Sequence, residues 1–212
     1  MGDLNLAIIY YSSTGTIHRM AEAAAEAARE AGADVRLRIV QELAPPEAIA
    51  RNPNWKKFRD EHPDLPVATL EDLEWADAIL FGSPTRYGNV AAQMKQFLDQ
   101  SGPLWAQGKL ANKAVSAFAS ASNPHGGQET TILALYNTMH HWGAIIVPPG
   151  YTDPTIFAAG GNPYGTSAAA NETGPAKEVL DAVRYQAKRL VEVARWLKAG
   201  REAAQRVPVG RA

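Results

Sequence analysis

The chain of 212 residues contains no cysteine. That excludes disulfides, thiolate metal sites, iron–sulfur clusters and thiol redox chemistry, so any redox activity has to come from a bound cofactor. Charge of one sign is also lacking: 21 basic residues face 22 acidic ones, a net charge of -1. No strong field points toward nucleic acid or a membrane surface, and no basic stripe is present, so neither is an expected partner. No apolar run approaches the ~20 residues that span a bilayer. The start, Met1-Gly2-Asp3-Leu4-Asn5, lacks the basic-then-apolar pattern of an export signal, which gives a cytoplasmic protein without membrane insertion as the expectation. Internal repeats and an interior domain boundary are absent, and residues 1–200 read as one domain followed by a flexible tail over 201–212. A metal site is not expected: His140 and His141 are adjacent, ~100° apart on a helix, with no third ligand at matching spacing.

What is present alternates between apolar strands and amphipathic helices. Residues 6–11, 78–83 and 114–120 are nearly continuous apolar runs, the mark of central parallel strands covered on both faces. Residues 35–40 alternate apolar and basic and read as an edge strand with one wet face; 144–147 supply a fifth strand. Helical patterns follow from Ile17 to a stop at Gly32, over 89–100, over 128–141, and from Pro175 to a stop at Gly200. In the first of these, His18 and Arg19 read as solvated-face residues. Two excursions interrupt the pattern. Residues 41–66 are proline-rich with room for one or two helical turns, and Trp55 and Phe58 there read as packing back on the domain; residues 151–174 are rich in Gly, Ala and Asn.

The segment joining the first strand to the first helix is Tyr10-Tyr11-Ser12-Ser13-Thr14-Gly15-Thr16-Ile17. A helix start leaves backbone N–H groups without partners, four hydroxyls add neutral donors, and Gly15 permits a tight turn. Neither the G-x-x-x-x-G-K-[ST] nor the G-x-G-x-x-G pattern occurs. A hydroxyl-rich loop without a cation suits a terminal phosphomonoester such as that of FMN. An ordinary strand-to-helix turn carrying Ser and Thr as caps fits the residues equally well. In an open α/β sheet ligands bind beyond the carboxyl ends of the strands, where this loop would meet Pro84-Thr85-Arg86-Tyr87-Gly88 and the turn-rich Ala121-Ser122-Asn123-Pro124-His125-Gly126.

Taken together, the segments Tyr10-Tyr11-Ser12, Phe81-Gly82-Ser83-Pro84-Thr85-Arg86-Tyr87-Gly88-Asn89, Gln93-Met94-Lys95-Gln96-Phe97-Leu98-Asp99-Gln100, Leu104-Trp105, Gly126-Gly127-Gln128-Glu129 and Val147-Pro148-Pro149-Gly150-Tyr151 carry a likeness over residues 6–197. The sequence resembles the WrbA family of flavodoxin-like NAD(P)H:quinone oxidoreductases. The resemblance implies a three-layer sandwich, a five-stranded parallel sheet of order 2-1-3-4-5 with helices on both faces, noncovalent FMN, and a homo-oligomer, dimer or tetramer. Carried over by position, Ser12, Ser13, Thr14, Gly15, Thr16 and Ile17 would hold the phosphate. Pro84, Thr85, Arg86, Tyr87 and Gly88 would line the ring, and Ala121, Ser122, Asn123, Pro124, His125 and Gly126 its other edge. His141 would approach the ring, with Arg86 and His141 tuning it, while Trp105 would border the substrate platform and Thr14 touch the nicotinamide nucleotide. Two departures stand out: Asn123-Pro124-His125 replaces a glycine-rich run, and Thr14 replaces a more usual aromatic.

The implied reaction is two-electron reduction of quinones by NADH or NADPH through FMN, ping-pong on one ring face, in oxidative-stress defence. No residue is expected as a nucleophile or an acid–base catalyst. A flavodoxin-type electron carrier and a flavin-dependent regulatory or interaction protein share the fold; the first is disfavoured by the net charge, because carriers dock by strong acidity.

Overall fold

In the computed structural model, which describes residues 3–169 and 174–206, the apolar runs lie side by side as a parallel sheet. The strands are β1 (Asn5–Tyr10), β2 (Asp34–Ile39), β3 (Ala78–Pro84), β4 (Ala114–Ala121), β5 (Ile145–Ile146) and β6 (Ser167–Ala169). Their order is β2-β1-β3-β4-β5, with β6 added beside β4, so the expected 2-1-3-4-5 order holds. β3 and β4 are buried at every position, and β1 at all but its first, as continuous apolar strands in the middle of a covered sheet should be.

Two apolar cores flank the sheet. On one face α1 (Thr16–Glu30) and α9 (Lys177–Arg206) bury Met20, Ala24 and Ala28 against Val183, Leu190 and Val191. The alanines let the two helices and the sheet approach closely. On the other face α5 (Ala92–Asp99) and α7 (Gln128–Trp142) bury Met94, Phe97, Leu135 and Met139, and α4 (Leu70–Trp75) adds Leu73. β2 is the expected edge, and its two arginines reach over to α4: Arg36 and Arg38 lie 3.1 and 3.2 Å from the buried carboxylate of Asp72.

Four expectations need correction. The excursion over 41–66 forms two helices, α2 (Pro46–Ala50) and α3 (Pro53–Glu61), the latter capped by the Asn52 side chain, which accepts from the N–H groups of Asn54 and Trp55. The helix expected from 89 starts at Ala92 because 86–89 close a tight turn, and a short helix, α6 (Gly102–Ala106), follows it. The second excursion is not outside the sheet. β5 covers only the start of β4, pairing Ala114 and Val115; the chain then departs, forms α8 (Pro154–Ala158), and returns as β6 to pair Ala119 to Ala121. The gap between the two short strands is closed by Gln186 of α9, buried to 1% exposure, which donates to Ser116 Oγ and the Ala117 carbonyl at 2.8 Å and accepts from the Thr166 N–H. Finally, α9 runs through Gly200 to Arg206. One glycine costs a helix only about 1 kcal/mol, and good helix formers surround it. Of the expected tail, residues 201–206 are therefore helical and 207–212 lie outside the described residues.

Candidate functional site

Register alone brings three loops to one edge. Tyr10 pairs with Gly82, Gly82 with Phe118, and Pro84 with Ser120, so β1, β3 and β4 end side by side. Two lateral bonds continue past the strand ends: Tyr11 N–H donates to the Gly82 carbonyl at 2.9 Å and Thr85 N–H to the Ser120 carbonyl at 2.7 Å. Gly82 is required beneath them. A Cβ there would sit 2.4 Å from the Phe118 ring and 3.0 Å from Ile17, the two side chains that pack under the first loop.

Between these loops lies a cavity of 220 Å³, lined by the first loop, by Pro84, Thr85 and Arg86, and by Ser120, Ala121 and Ser122, with Asn52 from the excursion. The first loop turns at Gly15, whose φ of 96° suits a residue without Cβ, and Ser12 Oγ accepts the Gly15 N–H at 3.1 Å. α1 begins at the next residue, so its first N–H groups and its dipole point out of the loop. Among the described residues the hydroxyls of Thr14 and Thr16 make no hydrogen bond, which leaves them for a ligand. Ser13 is engaged: Arg86 donates to its Oγ at 3.4 Å and to the Thr85 carbonyl at 2.9 Å, so the guanidinium spans two loops. This donor set, mostly neutral with a single bridging cation, fits a phosphomonoester held by hydrogen bonds.

The second loop is a tight turn. Arg86 and Asn89 exchange both backbone hydrogen bonds, and Tyr87 and Gly88 have φ of 54° and 76°. A left-handed tyrosine costs about 1–2 kcal/mol, and the strained backbone holds its ring fully exposed beside the cavity mouth. Thr85 secures this turn to the third loop. Its hydroxyl accepts from the Gly88 N–H at 3.1 Å and from the Thr131 hydroxyl at 2.7 Å, and donates to the Gly126 carbonyl at 3.3 Å. Thr85 thus acts through its backbone and its ties, since its hydroxyl is already used. In the third loop Asn123 Oδ1 accepts the His125 N–H at 2.9 Å, the self-bonded turn that asparagine favours, and Gln128 donates to the Asn123 carbonyl at 2.8 Å while its own Oε1 is buried without a partner. Gly126 has to be glycine, because a Cβ would fall 2.4 Å from that of Ala121. His125 is exposed on the rim.

The structure does not bring Trp105 and His141 to this cavity. Gln128 starts α7 at the loops and His141 lies near the other end of the 15-residue helix, roughly 20 Å away at the α-helical rise. There the two are together: the Trp105 indole N–H donates to the His141 carbonyl at 2.9 Å, and the indole is 56% exposed.

Residues that sequence reasoning did not single out build the far wall. Glu42 binds three separate elements: it accepts from the Tyr11 hydroxyl at 3.0 Å, from Gln93 of α5 at 2.7 Å, from the Trp55 indole at 3.2 Å and from two backbone N–H groups. Burial pushes its carboxyl up, but these donors outweigh it and hold Glu42 below the usual carboxylate range. The anchored α3 places Asn52 on the cavity. The Asn52-Pro53 pair was the available signal, an N-cap followed by proline at the first helical position. His18, read as solvated, is buried to 2% exposure because α3 covers it, a contact no local pattern announces.

Comparison with known proteins agrees with this architecture. The family profile described as NADPH-dependent FMN reductase matches residues 5–154. A Deinococcus radiodurans protein named NAD(P)H dehydrogenase (quinone) is 52% identical over 190 residues, covering 90% of this chain and 95% of its own. NAD(P)H dehydrogenase (quinone) 3 of Rhizobium meliloti is 42% identical, covering 92% and 93%. Among solved structures, a flavodoxin, WrbA-like protein from Agrobacterium tumefaciens superposes with a TM-score of 0.68 at 25% identity, covering 92% of this chain and 99% of its own.

Proposed function

The chain belongs to the NADPH-dependent FMN reductase family, with quinone-type NAD(P)H dehydrogenases as its relatives, and from that premise we propose that it uses FMN to reduce quinones to hydroquinones with NAD(P)H. The observation that carries this reading is the cavity in which three loops from adjacent strand ends meet, with a mostly neutral, hydroxyl-rich phosphate cradle bridged by Arg86 and an exposed Tyr87 on the neighbouring turn. Bound FMN would supply the redox chemistry, hydride acceptance from the nicotinamide and delivery of two electrons to the quinone.

The chain's own residues bind and orient. Ser12, Ser13, Thr14, Gly15, Thr16 and Ile17 hold the phosphate through helix-start N–H groups and free hydroxyls. Asn52 adds an amide donor from the opposite wall, its oxygen being committed to the α3 cap. Arg86 is held by the Ser13 hydroxyl and the Thr85 carbonyl, from where it would present a cation to bound flavin. Pro84, Thr85, Tyr87 and Gly88 form one edge, and the loop from Ala121 to Gly126 the other. No side chain acts as a nucleophile. Donor and acceptor use one ring face in turn, and the setting is a cytoplasmic response to oxidative stress. Among the described residues no helix is long and apolar enough to cross a membrane.

Trp105 and His141 complete the site from a second copy of the chain. They lie a helix length from their own cavity, yet the indole is largely exposed and anchored in place. The working form is therefore a homo-oligomer. Sizing should give a dimer or tetramer with FMN bound, and a monomer with full quinone turnover would remove this part of the reading.

The direct test is an anaerobic visible spectrum of the FMN-loaded protein. NADH or NADPH should bleach the flavin fully and benzoquinone should restore it, with parallel initial-velocity lines in steady state. Intersecting lines would overturn the single-face mechanism, and flavin that stays oxidised with both nucleotides would favour a carrier or a regulator.

A further inference from the structure

Next to the phosphate loop, sharing Thr14 and Thr16 with the flavin cavity, a second cleft of 700 Å³ opens between α1 and α3, with Gly15 and His18 on one wall and Phe58 and His62 on the other. His18 is the third residue of α1 and its ring is the first fully buried polar group after the loop. The Tyr10 hydroxyl lies 2.6 Å from Nδ1. Burial, with Glu22 adding, raises the Tyr10 phenol well above its ordinary value, so the phenol stays protonated in its hydrogen bond with the imidazole. α3 and its C-cap set two rings against that imidazole: Phe58 edge-on at 5.3 Å and His62 tilted at 4.6 Å between centroids, themselves 4.9 Å apart. Phe58 also covers the turn of the loop, within 3.5 Å of where a Gly15 Cβ would be.

We propose that His62 is a positioning residue for the phosphate loop, acting through His18, and that this histidine pair makes cofactor affinity acid-sensitive. The proposal rests on the FMN reading above. Two neutral imidazoles pack; a proton on His18 would have to be held in a buried site facing His62 and Arg19, and α3, which closes that site, can relieve it by lifting from Gly15. Every group facing His18 bears on this balance. Glu22, whose Oε1 lies 3.3 Å from Nε2 but outside hydrogen-bond geometry, favours the cation, although its side chain is 56% exposed and water-screened. Arg19 and His62 disfavour it, as does the positive end of the α1 dipole. On α3, Lys57 and Glu61 pair at 3.8 Å and largely cancel. Burial is the largest influence and lowers the His18 value from its ordinary 6.5, Glu22 opposing and His62 and Arg19 adding. Because the folded value is depressed, the stabilising contact is complete above about pH 6.5 and is lost as pH falls through the lower folded value. His18 does not line the flavin cavity, so it stands one layer behind the phosphate and does not ligate it.

The test is FMN affinity by fluorescence quenching at pH 8 and pH 5.5. The second phosphate ionisation of FMN, near 6, affects every variant equally. The rise in Kd on acidification should be about fivefold larger for the wild-type protein than for His62→Gln or His62→Leu, which remove the imidazole that faces His18. Equal rises in wild type and both variants would overturn the inference. Wild-type protein that binds no FMN at pH 8 overturns the FMN reading and this inference with it, whereas equal pH profiles overturn the latter alone.

Discussion

Thr16→Asp should abolish tight FMN binding without weakening the fold. Thr16 is the first residue of α1 and 7% exposed, and its hydroxyl makes no hydrogen bond among the described residues. Aspartate is of similar volume, and its carboxylate sits at the positive end of the helix, where an acidic residue stabilises by about 0.3–1 kcal/mol. The melting temperature of the apo protein should therefore hold or rise slightly. Toward a phosphate dianion the same carboxylate is a like charge at contact distance, and even with an effective dielectric constant near 20 such a pair repels by several kcal/mol. FMN affinity should fall by about 100-fold, while riboflavin, which lacks the phosphate, should bind wild type and variant alike. Fluorescence titration with both flavins reads the difference. FMN affinity within threefold of wild type would mean that the phosphate does not lie at the start of α1.

The second large effect is on stability. Gly165→Ala places a Cβ 2.0 Å from the Ala117 carbonyl oxygen, 3.1 Å from its carbon and 3.0 Å from Ile132 Cδ1. Neither side can move cheaply. Ala117 is in the middle of β4, with its carbonyl already bound by Gln186, and residue 165 begins the return that the Thr166 N–H fixes to the same glutamine. A backbone clash in a packed interior costs about 3 kcal/mol, which for a domain of this size lowers the melting temperature by about 6–12 °C. Gly102→Ala is the matched control, since nothing lies within 4 Å of its added Cβ and α6 gains a better helix former. It should be neutral or slightly stabilising. Comparable melting temperatures for the two variants would mean that the return strand is not seated as described.

Much of the frame is legible residue by residue. β1, β3 and β4 announce themselves as unbroken apolar runs because both faces are covered, and Gly32 and Gly143 end helices by adopting positive φ where a side chain would be strained. The phosphate loop is equally local: hydroxyls, one glycine and a helix start within six residues. β6 is the opposite case. Ser167–Ala169 has no strand composition and owes its conformation to the open edge of β4 and to Gln186. Helix α3 has a cap signal in Asn52-Pro53 but nothing in its own residues says that Trp55 will meet Glu42 or that Phe58 will cover Gly15. His18 illustrates the consequence: its helical position is that of a solvated residue, and only the docking of a segment some 40 residues later buries it.

By itself, then, the sequence determined the covered central strands, the hydroxyl-rich cradle and the absence of thiol chemistry, while the order of the sheet came from the family likeness. The former follow from periodicity, caps and composition, which act over a few residues. The tertiary structure alone decided that Arg86 would clasp Ser13, that Asn52 would join the cavity, that Trp105 and His141 would face away from it, and that two histidines would meet behind the loop. Those are contacts between segments distant in the chain, and their geometry is set by which surfaces the whole fold has left to pack, information that no short window of residues contains.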